Sequence, residues 1–243
     1  MRNVFAFDVD GTLTAPRQRI DAEFENFMRS FVRSQTVFLI TGSEYDMIGE
    51  QLPSDILQSC DGVFTCSGAE LWQDRNVIYR KTHKFPDKLI EAAEHFVDTS
   101  PYPTRCGNHI EHRPGMLNIS VVGRNANLAQ RKAYHRWETG MMERKAFVFD
   151  LLKEFPEYEA STGGEISIDI VPNGWTKAVA RAEIEKRFPR CNILFFGDKM
   201  SEGGNDKPLA DELEKYPQHM AIPVKTYEDT WSHLQAHMST MAA

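Results

Sequence analysis

The sequence predicts an α/β protein with a Rossmann-like, doubly wound core and an inserted α+β cap that carries an antiparallel sheet. Two observations predict this fold. Short apolar stretches at residues 4–9, 36–40 and 62–66 alternate with helical patterns, which is typical of buried parallel strands. At residues 108–122 the pattern changes to two strands around a Pro-Gly turn, and such a hairpin indicates a separate antiparallel layer.

The first half of the core is expected to alternate between strands and helices. Asp21 can cap a helix that runs to about Arg33. Its core stripe consists of apolar side chains at helical spacing, namely Phe24, Phe27, Met28 and Phe31. A helix rich in acids and Met should follow the second strand, and residues 70–72 and 77–79 should pair as a hairpin after the third strand.

The middle of the chain predicts the cap. An amphipathic helix is expected at residues 86–98, and two further helices at about residues 128–138 and 143–155. Residues 165–170 alternate strictly in polarity, which predicts a strand with one buried and one exposed face.

The chain then returns to the core pattern. A helix is expected at residues 176–187, and residues 192–198 form an apolar strand that ends in an acid, as the first strand does. We therefore expect a core domain of residues 1–80 and 177–243, with residues 81–176 inserted as a cap.

Composition excludes several classes of protein. No apolar run is long enough to span a membrane and no leader precedes the first strand, so we expect a soluble, cytoplasmic protein with no membrane partner. The formal net charge of −7 argues against a nucleic-acid partner. The cysteines show neither metal-binding nor disulfide spacing and are expected to be reduced thiols: Cys60, Cys66, Cys106 and Cys191.

Two carboxylates follow the first strand. Asp8 and Asp10 should emerge at its C-terminal end, where open α/β sheets bind ligands. Because residues one apart on a strand point the same way, one carboxylate can attack or hold a cation while the other handles a proton. The alternative is a strand followed by an Asp-Gly turn with solvated acids.

These residues also carry a family resemblance. Asp-Val-Asp-Gly-Thr at residues 8–12, after a hydrophobic strand, resembles the motif of the haloacid dehalogenase-like phosphotransferases. Thr-Ala-Pro-Arg-Gln at residues 14–18 is similar to the eukaryotic-type phosphomannomutases within that superfamily, and so is the cap stretch at residues 111–124. The resemblance extends from Phe5 to about Tyr227.

A cation site is expected beside the first strand. Asp198 follows a buried strand and Gly197, which places its carboxylate at the same sheet edge as Asp8. Mg²⁺ prefers oxygen ligands and keeps several waters, so two carboxylates, one carbonyl and a substrate phosphate suffice. The resemblance implies that Asp10 supplies the carbonyl and Asp198 a third ligand. Asp206, in a second acidic loop downstream, is expected to orient or extend the site. The alternative for Asp198 is an ordinary turn residue.

A lysine and two hydroxyl groups match further family positions. Lys177 stands where these enzymes place a lysine between nucleophile and phosphate, although a lysine at a helix start is more often solvated. Thr41 and Ser43 follow the second strand, where hydroxyl and amide groups can bind an anion. The phosphomannomutases carry Gly in place of Thr41.

Several cap residues match the family's phosphate clamp, and the resemblance implies that the cap at residues 81–176 decides substrate specificity. Arg113 and Arg124 lie in the similar cap stretch, and Arg131 follows where the family has its third cap arginine. Ser167 and Asp169, on the face expected to be exposed, match residues that contact sugar and phosphate. Each arginine taken alone would be a solvated charge. The implied substrate-binding set is Arg17, Thr41, Ser43, Arg113, Arg124, Arg131, Ser167 and Asp169.

The resemblance implies a phosphomannomutase that interconverts mannose 6-phosphate and mannose 1-phosphate, the latter for GDP-mannose synthesis. Asp8 is the implied nucleophile that forms an aspartyl-phosphate, with Mg²⁺ as cofactor, a hexose 1,6-bisphosphate as activator and a homodimer formed through the cap. The first alternative is a Mg²⁺-dependent sugar-phosphate phosphatase on the same scaffold, and a second is a catalytically idle sugar-phosphate or Mg²⁺ binding module. Ser67 and Thr176 depart from the family's Asn and Asp.

Overall fold

The computed structural model of the protein describes residues 1–242 and contains two β-sheets. Its strands are β1 Asn3–Phe7, β2 Thr36–Ile40, β3 Gly62–Thr65, β4 Glu70–Gln73, β5 Asn76–Arg80, β6 Ile110–Arg113, β7 Met116–Ile119, β8 Tyr158–Gly163, β9 Ser167–Pro172, β10 Asn192–Gly197 and β11 Met220–Pro223. Its helices are α1 Ala22–Ser34, α2 Tyr45–Gly49, α3 Ser54–Ser59, α4 Asp87–Thr99, α5 Leu128–Met141, α6 Glu143–Glu154, α7 Val179–Arg187, α8 Lys207–Glu214 and α9 Tyr227–Ala242.

The larger sheet has the order β11-β10-β1-β2-β3-β4-β5. The first five strands in this order are parallel, and the β4–β5 hairpin extends the sheet antiparallel at one edge. In the register, Phe7 at the end of β1 lies between Phe196 of β10 and Leu39 of β2. The C-terminal ends of these three central strands therefore meet at one edge of the sheet.

Helices cover both faces of this sheet, which confirms the doubly wound fold. Phe5 and Phe7 of β1 pack with the apolar stripe of α1 on one face, while Val4 and Ala6 pack with residues of α7 and α8 on the other. Because β1 is buried on both faces, its side chains are apolar without alternation. The carboxylate of Asp21 caps α1 by accepting hydrogen bonds from the second and third backbone amides after it, as predicted.

The smaller sheet is antiparallel, with the order β6-β7-β9-β8. Helices α4 and α6 pack on one of its faces, where Leu117, Ile119, Ile168 and Ile170 are buried. The chain passes between the two sheets twice, between β5 and α4 and between β9 and α7. The separate antiparallel layer is thus confirmed, while the domain boundaries at residues 81 and 176 stay predictions.

One prediction about this sheet is wrong. Ser167 and Asp169 were expected on an exposed face of their strand, but they are only 6% and 5% exposed. Their face of β9 lies over the C-terminal edge of the larger sheet, so tertiary packing covers it. Strand β9 also begins at Ser167, two residues later than predicted, and pairs with β8, which the sequence pattern did not predict.

Helix positions differ from the predictions in three places. The single helix expected after β2 is two short helices, α2 and α3, because Pro53 lacks an amide hydrogen and interrupts the helical hydrogen bonds. Helix α7 begins at Val179, so Lys177 lies in the turn before it. Elements α8, β11 and α9 were not predicted. Among the described residues, no helix is long and apolar enough to cross a membrane.

A glycine substitution should show how tightly the loop before Arg124 is packed. Gly123 has a φ of +90°, and a Cβ there would lie 2.2 Å from the carbonyl oxygen of Cys106. We expect Gly123→Ala to lower the free energy of unfolding by at least about 2 kcal/mol, measured by urea denaturation.

The matched control is Gly140→Ala in helix α5, where an added Cβ would meet no atom within 4 Å. Because alanine favours a helix, this variant should be unchanged or more stable by up to about 1 kcal/mol. Equal effects of the two substitutions would contradict the packing described for Gly123.

Candidate active site

The carboxylates of Asp8, Asp198 and Asp206 lie close together at the C-terminal edge of the larger sheet. Asp8 follows β1, Asp198 follows β10, and the backbone amide of Asp8 donates to the carbonyl of Phe196 at 2.9 Å. Gly11 has a φ of +86°, and a Cβ there would lie 2.6 Å from an oxygen of Asp198. Glycine therefore allows the turn after β1 to approach the Asp198 carboxylate.

Lys177 lies between two of the acids. Its Nζ donates to Oδ1 of Asp8 at 2.6 Å and to Oδ1 of Asp206 at 2.7 Å, and its side chain is completely buried. Burial alone would lower the pKa of Lys177, but Asp206 and Asp8 together raise it, so the ammonium group stays charged. The expectation of a charged lysine beside Asp8 fits this geometry, and the alternative of a solvated lysine does not.

Asp206 holds the loop that follows β10. Its second oxygen accepts a hydrogen bond from the backbone amide of Lys199 at 2.9 Å, and the amide of Asp206 donates to the carbonyl of Lys199 at 3.1 Å. A Cβ at Gly197 would lie 2.6 Å from this carboxylate. Asp206 is fully buried, and its two carboxylate oxygens are held by Lys177 and by the amide of Lys199.

The same carboxylates fit a divalent cation. Oxygens of Asp8, Asp198 and Asp206 all lie within 4.8 Å of one another. Burial, with repulsion from neighbouring acids, raises the pKa of both Asp8 and Asp198, and Lys199 places its Nζ 2.9 Å from Asp198. A site with excess negative charge and hard oxygen donors suits Mg²⁺. Because both oxygens of Asp206 accept hydrogen bonds, Asp8 and Asp198 have the freer ligand atoms.

Asp10 is oriented by the segment that follows it. The backbone amide of Arg17 donates to Oδ1 of Asp10 at 2.7 Å, and Arg17 adopts a left-handed conformation with a φ of 59°. A bridge between Asp10 and Thr14 closes the turn. This loop brings the carboxylate of Asp10 and the Arg17 side chain to the same cleft as Asp8.

Thr41 and Ser43 follow β2 at the same edge of the sheet. The amide of Ser43 donates to Oγ1 of Thr41 at 3.1 Å, and both residues line the cleft. The turn at Cys66 and Ser67 supports them, because its amides donate to the carbonyls of Ser43 and Thr41. Ser67, which stands where the family has Asn, thus lies near the cleft, and its backbone amide makes one of the hydrogen bonds of this turn.

Four arginines line the cleft together with the carboxylates. Arg113 ends β6, Arg124 follows β7, Arg131 lies in the first turn of α5, and Arg17 comes from the core. Arg113 donates from Nη1 to the carbonyl of Gly42 at 3.1 Å, which links the two sheets' layers. Guanidinium groups in this number and spacing can bind a phosphate by several charged hydrogen bonds.

The charges of Arg124 and Arg131 are not fully compensated. Burial, with repulsion from Arg113 and Arg17, lowers the pKa of Arg124 to about 10. Burial and Arg17 also lower the pKa of Arg131, whose Nε is buried with no hydrogen-bond partner in the described residues. A bound anion would relieve both the repulsion and the unpaired donor.

Polar residues of β7 and β9 complete the cap side. Asn118 pairs with Asp169 in the register and donates to its Oδ1 through Nδ2. Arg124 donates from Nη1 to Oγ of Ser167 at 2.7 Å. A Cβ at Gly163 would lie 2.3 Å from Asp169, so glycine lets β8 approach this carboxylate. Asp169 therefore has a fixed position in the cleft.

The cleft between the two layers encloses about 670 Å³, counting its open mouth. Eleven of the predicted site residues line it, and Lys177 and Asp206 lie behind Asp8. Lining residues that we did not predict as site residues are Pro16, Gly42, Asn118, Gly163, Gly164, Glu165, Lys199 and Asn205. Asn118 could have been found, since a polar residue within the apolar run of β7 indicates a functional face.

Comparison with known proteins gives consistent results. A family model described as eukaryotic phosphomannomutase matches residues 24–240. Phosphomannomutase from Arabidopsis thaliana is 34% identical over 238 residues, covering 95% of this chain and 94% of that protein. Phosphomannomutase from Dendrobium officinale is 32% identical over 241 residues, covering 96% and 94%.

A solved structure has the same fold at low sequence identity. It is a sugar phosphatase of subclass IIB of the haloacid dehalogenase superfamily, with a TM-score of 0.60 and 18% identity. The match covers 98% of this chain and 99% of the phosphatase. The predicted haloacid dehalogenase-like fold is therefore confirmed.

Removing the buried lysine should destabilise the protein in a pH-dependent way. Lys177→Met leaves Asp8 and Asp206 without their shared cation, so we expect a loss of about 3–5 kcal/mol in the free energy of unfolding at pH 8. Without Lys177, the folded-state pKa of Asp8 rises further above its unfolded value. Protonation then relieves the repulsion as the pH falls, so the loss should be smaller at pH 5.5.

Urea denaturation at both pH values measures this effect. The control is Lys215→Met, because Lys215 is an exposed lysine paired with Glu212 on the surface and should contribute little at either pH. A deficit for Lys177→Met that grows toward low pH would contradict the buried charge arrangement.

Proposed function

Because the chain belongs to the eukaryotic phosphomannomutase family, we propose that it interconverts mannose 6-phosphate and mannose 1-phosphate. One structural observation supports this activity independently of the family membership. The cleft places a buried carboxylate at the core edge opposite a cluster of arginines on the cap. One end of a sugar bisphosphate can react at the core while the other end is held by the cap.

Asp8 is the proposed nucleophile. Its Oδ1 accepts from Lys177, which leaves Oδ2 to attack the phosphorus of a hexose 1,6-bisphosphate activator. The P–O bond to the sugar breaks, and the phosphoryl group becomes an aspartyl-phosphate. Lys177 offsets the negative charge that would otherwise repel an incoming phosphate. The buried position of Lys177 keeps that charge fixed at the reacting group.

Asp10 is the proposed general acid and base. Its carboxyl group gives a proton to the departing sugar oxygen and later removes one from the hydroxyl that accepts the phosphoryl group. The backbone amide of Arg17 donates to Oδ1 of Asp10 and so fixes the orientation of the carboxylate. Oδ2 is then the oxygen proposed to exchange the proton. Thr41 and Ser43 are proposed to donate hydrogen bonds to the transferring phosphate.

Mg²⁺ is the proposed cofactor. Asp8 and Asp198 would hold it with their carboxylates and Asp10 with its backbone carbonyl, while Asp206 would orient the site. When bound, the cation would neutralise charge on the transferring phosphoryl group. The crowded carboxylates and the raised pKa of Asp198 support a cation at this position.

The cap is proposed to hold the phosphate that does not react. Arg113, Arg124 and Arg131 would clamp it, with Arg17 beside them, and Ser167 and Asp169 would contact the sugar. The bisphosphate intermediate could then turn end over end and be attacked at its other phosphate. We propose residues 81–176 as this specificity domain, whose closure excludes water from the aspartyl-phosphate.

The second candidate function is a sugar-phosphate phosphatase, in which water attacks the aspartyl-phosphate. It is favoured by the fold shared with a solved sugar phosphatase. A phosphatase needs no clamp for a second phosphate, so the four arginines favour the mutase. An idle binding module would not need Lys177 buried between Asp8 and Asp206. Product analysis separates the first two functions.

Assembly and location complete the proposal. We propose a homodimer through the cap, supported by exposed apolar side chains on α5 and α6 and at the junction between them: Leu128, Met141, Met142 and Phe149. We also propose a cytoplasmic location, supported by the free state of all four cysteines.

Cation binding is expected to depend on Asp198. Asp198→Ala removes one of the two freer carboxylates, so the dissociation constant for Mg²⁺ should rise at least about tenfold in isothermal titration calorimetry. The control is Asp211→Ala, an exposed acid paired with Lys207. Chelation of the wild type should abolish turnover, and full activity in chelator would contradict the site.

The Arg131→Ala variant tests the mutase against the phosphatase. Wild type is assayed with mannose 1-phosphate and glucose 1,6-bisphosphate, and mannose 6-phosphate and free phosphate are measured in parallel. Loss of one charged phosphate contact costs about 1.5–3 kcal/mol, which is about ten- to a hundredfold in affinity for the intermediate. Bisphosphate should escape, so the ratio of phosphate released to sugar isomerised should rise.

Asp8→Asn is the control for this assay, because it keeps the shape of the side chain and should lose both products. A wild type that releases phosphate without isomerising sugar would instead establish the phosphatase. An unchanged product ratio in an active Arg131→Ala mutase would mean that Arg131 is not part of the clamp.

A further inference from the structure

Glu111 connects two arginines of the clamp through a single oxygen atom. It lies two residues before Arg113 on β6, so the two side chains share a face of the strand. Oε2 of Glu111 accepts from Nη2 of Arg113 and from its Nε at 3.2 Å, and lies 3.3 Å from Nε of Arg124. No other carboxylate among the described residues is paired with both arginines.

Glu111 lies behind the arginines and not in the cleft. Arg113 and Arg124 line the cleft, whereas Glu111 is absent from its described lining. The side chains of Arg113 and Arg124 are 3% and 8% exposed, and that of Glu111 is 23% exposed. A bound sugar phosphate would therefore contact the arginines, and Glu111 would act only through them.

The charges around Glu111 keep it ionised. Burial raises the pKa of its carboxyl group, but Arg124 and Arg113 lower it by more. Burial and repulsion from Arg113 and Arg17 disfavour the charged form of Arg124, and Glu111 opposes both effects. Glu111 thus offsets repulsion between clamp arginines while holding their guanidinium groups at fixed places.

We propose that Glu111 is a positioning residue that holds Arg113 and Arg124 in one arrangement for the non-reacting phosphate. The proposal rests on the proposed function, which supplies the phosphate. Preorganised donors bind an anion more tightly because less side-chain entropy is lost on binding. Each arginine keeps another partner, the carbonyl of Gly42 for Arg113 and Ser167 for Arg124, so loss of Glu111 loosens the clamp without removing it.

Two variants separate positioning from charge. Glu111→Ala removes both the hydrogen-bond acceptor and the charge. Glu111→Gln removes the charge but retains one carbonyl oxygen, and the contacts to Arg113 and Arg124 all use one oxygen. If Glu111 acted only as a counter-charge that weakens phosphate binding, both variants would bind phosphate more tightly. Positioning predicts that alanine weakens binding and that glutamine restores it.

The first measurement is calorimetric binding of mannose 6-phosphate with Mg²⁺ and without a bisphosphate activator. We expect the dissociation constant to rise about tenfold in Glu111→Ala and to stay within about threefold of wild type in Glu111→Gln. In an Arg124→Ala background, Glu111→Ala should have a smaller effect, since the two residues act together. Glu154→Ala, at an exposed glutamate on α6, should bind like wild type.

The second measurement needs no substrate. Hydrogen exchange of the Arg113 Nε–H group, which donates to Glu111, should be faster in Glu111→Ala and restored in Glu111→Gln when followed by NMR of the free protein. Thermal unfolding checks that each variant is folded. Unchanged exchange in folded Glu111→Ala, or binding as tight as wild type, would overturn the proposal. Failure of the proposed function appears separately, as absence of isomerisation by the wild type.

Discussion

The buried lysine between two carboxylates is the interaction on which the site depends. Lys177 contacts both Asp8, which follows β1, and Asp206, which precedes α8. Along the chain, Lys177 is 169 residues from Asp8 and 29 residues from Asp206. An unpaired charge at this depth would be very costly, so the three groups must come together for the core to be stable. The same constraint brings the segment that returns from the smaller sheet against Asp8 at the end of β1.

The cleft is polarised because the two layers contribute opposite charges. Carboxylates follow the parallel strands of the core, while Arg113, Arg124 and Arg131 come from the cap. Burial, together with repulsion from like charges, raises the pKa of Asp198 and lowers that of Arg124. In the proposed function, a ligand with phosphate toward the arginines and a cation beside the acids would offset the like charge at both ends.

Much of the site could be predicted because its motifs are local. The strand followed by Asp8 and Asp10 is recognisable from a run of ten residues, and the cap arginines lie within one stretch. Glu111 lay in that same stretch but was not predicted as part of the site, because its role depends on Arg124 arriving beside Arg113. Lys177 could be predicted by resemblance, but its complete burial depends on Asp206.

The sequence by itself determined the alternation of strands and helices in the first half of the core, the separate antiparallel layer and the identity of the charged groups. Those features follow from periodicity and from residues adjacent along the chain. Tertiary structure alone decided that Ser167 and Asp169 are buried, because a strand's alternation shows its two faces but not what covers the polar one. Tertiary structure also decided the pairing of β8 with β9 and the contact of Glu111 with Arg124. A local sequence pattern does not indicate which distant segments will pack together.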